Sequence, residues 1–328
     1  MKGRLAAFWF ILLGAFASPV VAGAQGLRVL QVQPGFFMIA GAGANVAVQT
    51  GPDGIVVVDS GSAGMADGVL TEIKKLSPEP IRYIINTSAD ADHAGGNEML
   101  AKAGRSLFVA GNGGPGGGAA ADGISNGGGA SIIATESVYT MMAERVGGRS
   151  RFPTVAWPTE TYSRGQKTLY LNNEGIQVLY QPAAHTDADS IVLFRRSDVI
   201  VTGEIFDITR FPVIDIDHGG NIQGEIGALN RLIDLAIPST PLPWKEGGTQ
   251  IIPSHGRICE QAEIVEYRDM LTIIRDRVQD MINKGMTLEQ IQAASPAQGY
   301  TRRFGADTGP WTTRDFVAAV YKSLIGKK

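Results

Sequence analysis

Only four histidines occur in the 328-residue chain, and three of them stand at the ends of strand-like segments. They lie in Asp92-His93-Ala-Gly-Gly, Ala184-His185-Thr-Asp-Ala-Asp189 and Pro253-Ser-His255-Gly. Imidazole is a common metal ligand and a proton carrier near neutral pH. One such residue alone is more often a surface or satisfied core histidine. Three at strand ends, each beside Gly, Asp or Ser, form a pattern. His218, in Asp215-Ile-Asp-His-Gly-Gly220, sits in a polar turn and reads as a solvated loop residue, with a pocket wall as the alternative.

The most specific segment is Asn86-Thr-Ser-Ala-Asp-Ala-Asp-His-Ala-Gly-Gly-Asn97. Asp90, Asp92 and His93 leave a strand end within four residues and enter a Gly-Gly turn that opens a helix. Closely spaced carboxylates and imidazole on such a turn can converge on one or two divalent cations. The competing role is a helix N-cap, which Asp and Ser also favour. A cap accounts for one acid, and the other acid and the histidine remain to be explained.

These residues need elements to hold them. Leu27–Gln33, Gly35–Ala40, Asn45–Thr50 and Ile55–Val58 are short, β-branched or aromatic runs separated by Pro, Gly or Asp-Gly turns, and each predicts a strand. Met65–Leu76 predicts a helix and Ile81–Ile85 a buried strand ending at Asn86. Strands follow at Leu107–Ala110 and Ser131–Ala134, then a helix near Ser137–Val146. The pattern repeats with strands at Lys167–Leu171, Ile176–Tyr180, Ser190–Phe194 and Val199–Val201 and a helix over Asn221–Leu235. Two similar passes of this kind imply an α/β protein of layered sheets with helices outside.

Between Gly111 and Gly129, ten of nineteen residues are glycine, a composition unable to bury a core. It reads as a flexible insertion, because it has neither the Lys-Ser/Thr ending of a P-loop nor a dinucleotide fingerprint. Past Arg257, Ile264, Tyr267, Leu271, Ile274, Val278 and Met281 recur every three or four residues and make one apolar helical stripe. Thr287-Leu-Glu-Gln290 is a capping box for another helix, and Asp315–Ile325 predicts a last one. Residues 259–328 thus form a helical extension packing on the preceding sheets.

At the other end, Lys2 and Arg4 precede an apolar run from Leu5 to Val21, and Ala22-Gly23-Ala24 fits a small-residue cleavage rule. Residues 1–24 are therefore expected to be a cleaved signal peptide, with a membrane anchor as the alternative, and residues 25–258 the main domain. Cleavage takes away two positive charges and no acid, so the net charge moves from −3 to −5. That balance argues against a nucleic-acid partner. With Cys259 as the only cysteine, an internal disulfide and a cysteine-rich zinc site are both excluded. The expectation is a periplasmic or secreted protein with no membrane span after cleavage and a small-molecule substrate.

Taken in order, these motifs resemble the metallo-β-lactamase fold superfamily over roughly Gln31 to Gly256. Gly54-Ile-Val-Val-Val-Asp-Ser-Gly61 is similar to its early strand ending in an acid and glycine, and Asn86–Asn97 to its first metal motif, His-x-His-x-Asp-His, with a Gly-Gly-Asn exit. His185-Thr-Asp-Ala-Asp189, Thr202-Gly-Glu204 and Ser254-His-Gly256 resemble the third-histidine, bridging-acid and last-histidine motifs. The resemblance implies an αββα four-layer sandwich.

It also implies a ligand set, altered here. Ser88 and Asp90 stand where the family motif has its first two histidines, and Glu204 where an aspartate usually bridges two metals. A first metal position then retains Asp90, His185 and Glu204, and a second keeps Asp92, His93 and His255, with Glu204 available to both. Asp92 resembles the acid that also helps move a proton to the leaving group, so it is the catalytic candidate. Asp59 and Asp189 resemble acids that orient ligands, with capping or turn roles as alternatives. Exchanging imidazole for carboxylate hardens the site, so iron or manganese joins zinc as a candidate, with one or two ions bound.

A divalent cation lowers the pKa of a water it binds from 15.7 to about 7 and polarises carbonyl or phosphoryl oxygens. The leading expectation is an exported metal-dependent hydrolase of a small ester, lactone, amide or phosphoester. Two alternatives stay open: an iron-dependent oxidoreductase, motivated by Asp90, and a non-catalytic or single-metal binding protein on the same fold, motivated by Ser88 and Asp90.

Overall fold

The computed structural model describes residues 26–107, 129–239 and 247–326. Residues 1–24 and nearly all of the glycine-rich 111–129 segment, with the expectations attached to them, lie outside the described residues. So does most of the strand expected at Leu107–Ala110, and Leu107 itself is not in a strand.

The first half of the chain runs β1 (Arg28–Gln33), β2 (Phe36–Ala40), β3 (Val46–Gln49), β4 (Ile55–Val58), α1 (Ala66–Leu76), β5 (Ile81–Ile85), α2 (Ala91–Ala94) and α3 (Asn97–Ala103). β6 (Ser131–Thr135) and α4 (Glu136–Ala143) follow, then a small hairpin of β7 (Arg145–Val146) and β8 (Arg149–Ser150), then β9 (Glu160–Tyr162). The helix expected to reach Val146 stops at Ala143, because Gly147 and Gly148 both take positive φ and turn the chain into that hairpin. The second half runs β10 (Gln166–Leu171), β11 (Glu174–Gln181), β12 (Asp189–Phe194), β13 (Val199–Val201), α5 (Ile222–Leu235), β14 (Gln250–Ile252), α6 (Gln261–Asn283), α7 (Leu288–Ala293), α8 (Thr301–Phe304) and α9 (Thr313–Ile325).

Among the described residues, β1-β2-β3-β4-β5-β6-β9 form one sheet and β10-β11-β12-β13-β14 a second. One apolar core lies between them, where Phe36, Met38, Val56, Val58 and Ile85 meet Ile176, Val178, Val192, Phe194 and Val201. The rings of Phe36 and Phe194 touch edge to face at 4.7 Å across this seam. The outer face of the first sheet, including Ile55, Val57 and Ile84, is covered by Val69 and Ile73 of α1 and Leu100 of α3. The outer face of the second sheet packs Ile191, Ile200 and Ile251 against α5, α6 and α9. The order of layers is helix, sheet, sheet, helix. Strand β4 reads Ile-Val-Val-Val without alternation because both of its faces are buried.

The stripe on α6 covers the second sheet as its spacing predicts, with Ile264, Tyr267, Leu271, Ile274 and Val278 buried and Met281 packed at the margin. Thr287 and Gln290 form the anticipated capping box on α7. No helix among the described residues is long and apolar enough to cross a membrane.

Candidate metal centre

The candidate ligands leave the two sheets from the carboxyl ends of parallel strand pairs, β4 with β5 and β13 with β14, and from the turn into β12. Each is held by a specific local device. Asp59 follows β4 with a φ of 59°, a left-handed backbone uncommon outside glycine. That turn aims both carboxylate oxygens at one target: Oδ1 accepts the Thr87 amide at 2.8 Å, and Oδ2 accepts the Thr87 hydroxyl at 2.7 Å. Oδ2 also lies 2.7 Å from His93 Nδ1. Asn86 and Asn97 exchange side-chain amide hydrogen bonds of 3.1 and 2.8 Å, tying the strand end to the start of α3. Between them Gly95 passes so close that a Cβ would stand 2.3 Å from the Ala91 carbonyl oxygen.

Glu204 follows β13 after Gly203, whose φ is +56° and whose added Cβ would sit 2.5 Å from the Thr87 hydroxyl. His255 follows β14 in a loop pinned from the first sheet. The Asn45 side-chain amide donates to the carbonyls of Pro253 (3.0 Å) and Gly256 (3.1 Å), and its backbone N–H donates to that of Ser254 (2.7 Å).

Four of the six candidate ligands converge. One donor atom each from Asp92, His93, Glu204 and His255 lies within 4.8 Å of all the others. His93 donates its Nδ1 hydrogen to Asp59, which turns Nε2 onto Glu204 Oε1 at 2.8 Å. His255 Nε2 lies 3.3 Å from Asp92 Oδ2 and 3.4 Å from Glu204 Oε1, yet it is a buried atom with no hydrogen-bond partner. A buried imidazole nitrogen between two carboxylates, with no hydrogen bond, is a group that a bound cation would satisfy. The donor set, two imidazoles and two carboxylates, fits zinc, iron or manganese. These four side chains therefore fit the divalent ion the fold implies.

Asp90 and His185 stand apart as a pair. His185 Nδ1 lies 2.8 Å from the Val213 carbonyl and Nε2 lies 2.8 Å from Asp90 Oδ2. The Ser88 hydroxyl donates to the same Asp90 oxygen at 2.8 Å, and Arg151 reaches the other at 3.6 Å. Asp90 occupies the N-cap of α2, but its side chain accepts nothing from that helix, so capping does not explain it. No third carboxylate, imidazole or thiolate joins the pair at metal-binding spacing among the described residues.

The electrostatics follow from these contacts. Burial alone lowers a histidine pKa, but at His93 the Asp59 and Glu204 carboxylates outweigh it and raise the value well above 6.5. His255 is pushed up to about 9, where Asp92 and Glu204 overcome burial. For Glu204 burial works upward, and the His255 and His93 imidazoles beside it hold it well below the usual carboxylate range. Asp90 falls to about 2 because its His185 partner outweighs burial. The imidazoles hold protons against these ionised carboxylates, and a cation bound there would displace those protons.

Several neighbours carry no spacing signal in the sequence. Thr87 holds Asp59. Arg210 bridges Asp207 (2.6 Å) and the second oxygen of Glu204 (3.5 Å), and the buried Tyr267 hydroxyl on α6 donates to its carbonyl at 2.8 Å. Asp189 closes its own turn, accepting from the Thr186 amide and hydroxyl, and touches no candidate ligand. His218 is partly exposed in its loop, 2.5 Å from Asp215. Beside Asp90 and His185 opens a cavity of about 410 Å³, walled by Ile214 and Ile216 on one side and by Trp311, Ala318 and Lys322 of the C-terminal region on the other.

A model of the metallo-β-lactamase superfamily matches residues 40–106, the stretch that carries Asp59, the Asn86–Asn97 segment and α3. This protein has the metallo-β-lactamase fold. A metallo-β-lactamase from Pontibacter korlensis shares that fold at 15% identity and a TM-score of 0.54, over 75% of this chain and 99% of its own. The DIM-1 metallo-β-lactamase is similar at 16% identity and 0.53, over 75% and 97%. The stereoselective inverting sec-alkylsulfatase Pisa1 from Pseudomonas sp. superposes over 92% of this chain, at 15% identity and 0.62. This chain spans about half of that sulfatase, 51% of its length. No curated protein sequence matches. The metallo-β-lactamase fold is home mostly to hydrolases that use divalent metal ions.

Proposed function

We propose that the protein is an exported metal-dependent hydrolase of small esters, lactones, amides or phosphoesters, with sulfate esters added to that range. One observation carries the reading: His255 Nε2, buried and without a hydrogen bond, faces Asp92 and Glu204 inside a four-ligand cluster. Sulfate esters enter because the superposition that reaches across 92% of the chain is with a sec-alkylsulfatase.

A divalent ion bound there supplies a Lewis acid and hydroxide at neutral pH. The chain's own residues do the rest. Asp59 fixes the ring of His93 with Nε2 inward. Asp92 is partly exposed, with one oxygen on the His255 side, so its carboxylate can carry a proton towards a leaving group. Arg151 and Arg210, each 35% exposed, hold positive charge at the margin where an anionic substrate or a developing oxyanion arrives. The cavity beside Asp90 has room for the rest of a small substrate.

The test is a substrate panel. Protein reconstituted with zinc, manganese or iron(II) is assayed on 4-nitrophenyl acetate, phosphate and sulfate, a secondary-alkyl sulfate, an aliphatic lactone and an anilide. Turnover of at least one class, lost with chelator and restored by metal, supports the reading. Metal-loaded, folded protein that turns over none of them overturns it in favour of a binding protein.

A further inference from the structure

We infer that this centre holds a single divalent cation, at Asp92, His93, Glu204 and His255, and that ion pairs within the chain take the place of a second. The inference rests on the metal-centre reading above and goes beyond it in stoichiometry and position. A second ion on this fold would need Ser88, Asp90, His185 and a share of Glu204. The structure commits each of these elsewhere.

The Ser88 hydroxyl is consumed as a donor to Asp90 Oδ2 and as acceptor of the Asp90 amide at 3.0 Å. Asp90 Oδ2 also faces His185 Nε2, and Oδ1 faces the Arg151 guanidinium at 3.6 Å. A guanidinium at that distance repels an incoming ion and offsets the charge of the carboxylate. Glu204 is divided between two partners: Oε1 lies in the four-ligand cluster, while Oε2 is turned to Arg210. Arg210 cannot swing away freely, because Asp207 grips its Nε at 2.6 Å and the Tyr267 hydroxyl holds its carbonyl. Asp207 is itself fixed by the Thr209 amide and hydroxyl at 2.8 and 2.6 Å. Arg151 beside Asp90 and the anchored Arg210 beside Glu204 thus supply positive charge where a second ion would otherwise do so. Two protein ligands without a third are too few for a tight divalent site.

The experiment counts metal and needs no substrate. Protein stripped with chelator is incubated with excess zinc or manganese, desalted, and analysed for bound elements by mass spectrometry. One ion per chain is the expected result. Two ions per chain overturn the inference and leave the hydrolase reading standing; none overturns the metal-centre reading as well. Position is read from two variants that keep wild-type circular dichroism. His255→Ala loses bound metal at least tenfold, while His185→Gln keeps one ion. Loss of the ion in His185→Gln overturns the assignment. The triple variant Ser88→His, Asp90→His, Arg151→Met takes up a second ion. If it stays at one, Ser88, Asp90 and Arg151 are not what excludes the second ion.

Discussion

Asp59 Oδ2 lies 2.7 Å from His93 Nδ1, with both side chains buried from solvent, although 34 residues separate them in the chain. Because the bond engages Nδ1, it leaves Nε2 as the atom presented to Glu204 and His255. Removing its charge while keeping its shape isolates that role. Asp59→Asn is expected to weaken zinc or manganese binding about 10- to 100-fold, measured by chelator competition. Unchanged affinity would show that Asp59 serves only the Thr87 turn.

Glu225 is a buried acid on α5 with no hydrogen bond to either carboxyl oxygen. Burial, with Asp189 and Glu204 adding to it against the attraction of His185, pushes its pKa well above 4.5. The unfolded chain ionises near about 4.3, so native stability falls as pH rises from there towards the folded value. Glu225→Met removes both that pH-dependent loss and an unpaired polar group worth about 1–3 kcal/mol. Thermal melts should show the variant more stable at pH 8, with the advantage shrinking towards pH 4. An advantage independent of pH would mean that Glu225 has the same pKa folded and unfolded.

Gly203 sets the direction in which Glu204 leaves β13. Its φ of +56° strains any side chain, and an added Cβ would meet the Thr87 hydroxyl at 2.5 Å. Gly203→Ala is therefore expected to cost at least about 1 kcal/mol of stability. It should also reduce metal retention, because Thr87 carries Asp59 and Glu204 is a candidate ligand. A denaturant midpoint and a metal assay on the same sample check both, and loss of neither would rule out this coupling.

Trp311 tests whether the C-terminal region shapes the substrate site. With Lys322 it walls the cavity that opens beside Asp90 and His185. Trp311→Ala is expected to raise KM about two- to tenfold for esters with an aromatic or long alkyl group, with KM for acetate esters unchanged. Equal effects on small and large substrates would place the tryptophan outside the binding path.

The sequence by itself was enough for the elements that bury two faces or follow strict chemistry. Ile55–Val58 and Val199–Val201 read as strands because unbroken β-branched runs suit strands covered on both sides, and Ile81–Ile85 because its β-branched and aromatic residues are broken only by Arg82. The α6 stripe and the Thr287 box were equally plain, since 3.6-residue periodicity and capping are local properties. β14 (Gln-Ile-Ile) and β9 (Glu-Thr-Tyr) went unread because three residues with a polar member show neither a period nor an unbroken apolar run. The motifs named six candidate ligands and divided them between two positions, but the placing of Glu204 with Asp92, His93 and His255 came only with the tertiary structure. Arg151 and Arg210 are ordinary scattered charges along the chain, and nothing in their neighbours in sequence points to Asp90 or Glu204. Which oxygen of Glu204 faces metal and which faces Arg210 depends on how β13, β14 and α6 pack together. Such placement is a non-local property, set where residues 50 and more positions apart are brought within bonding distance.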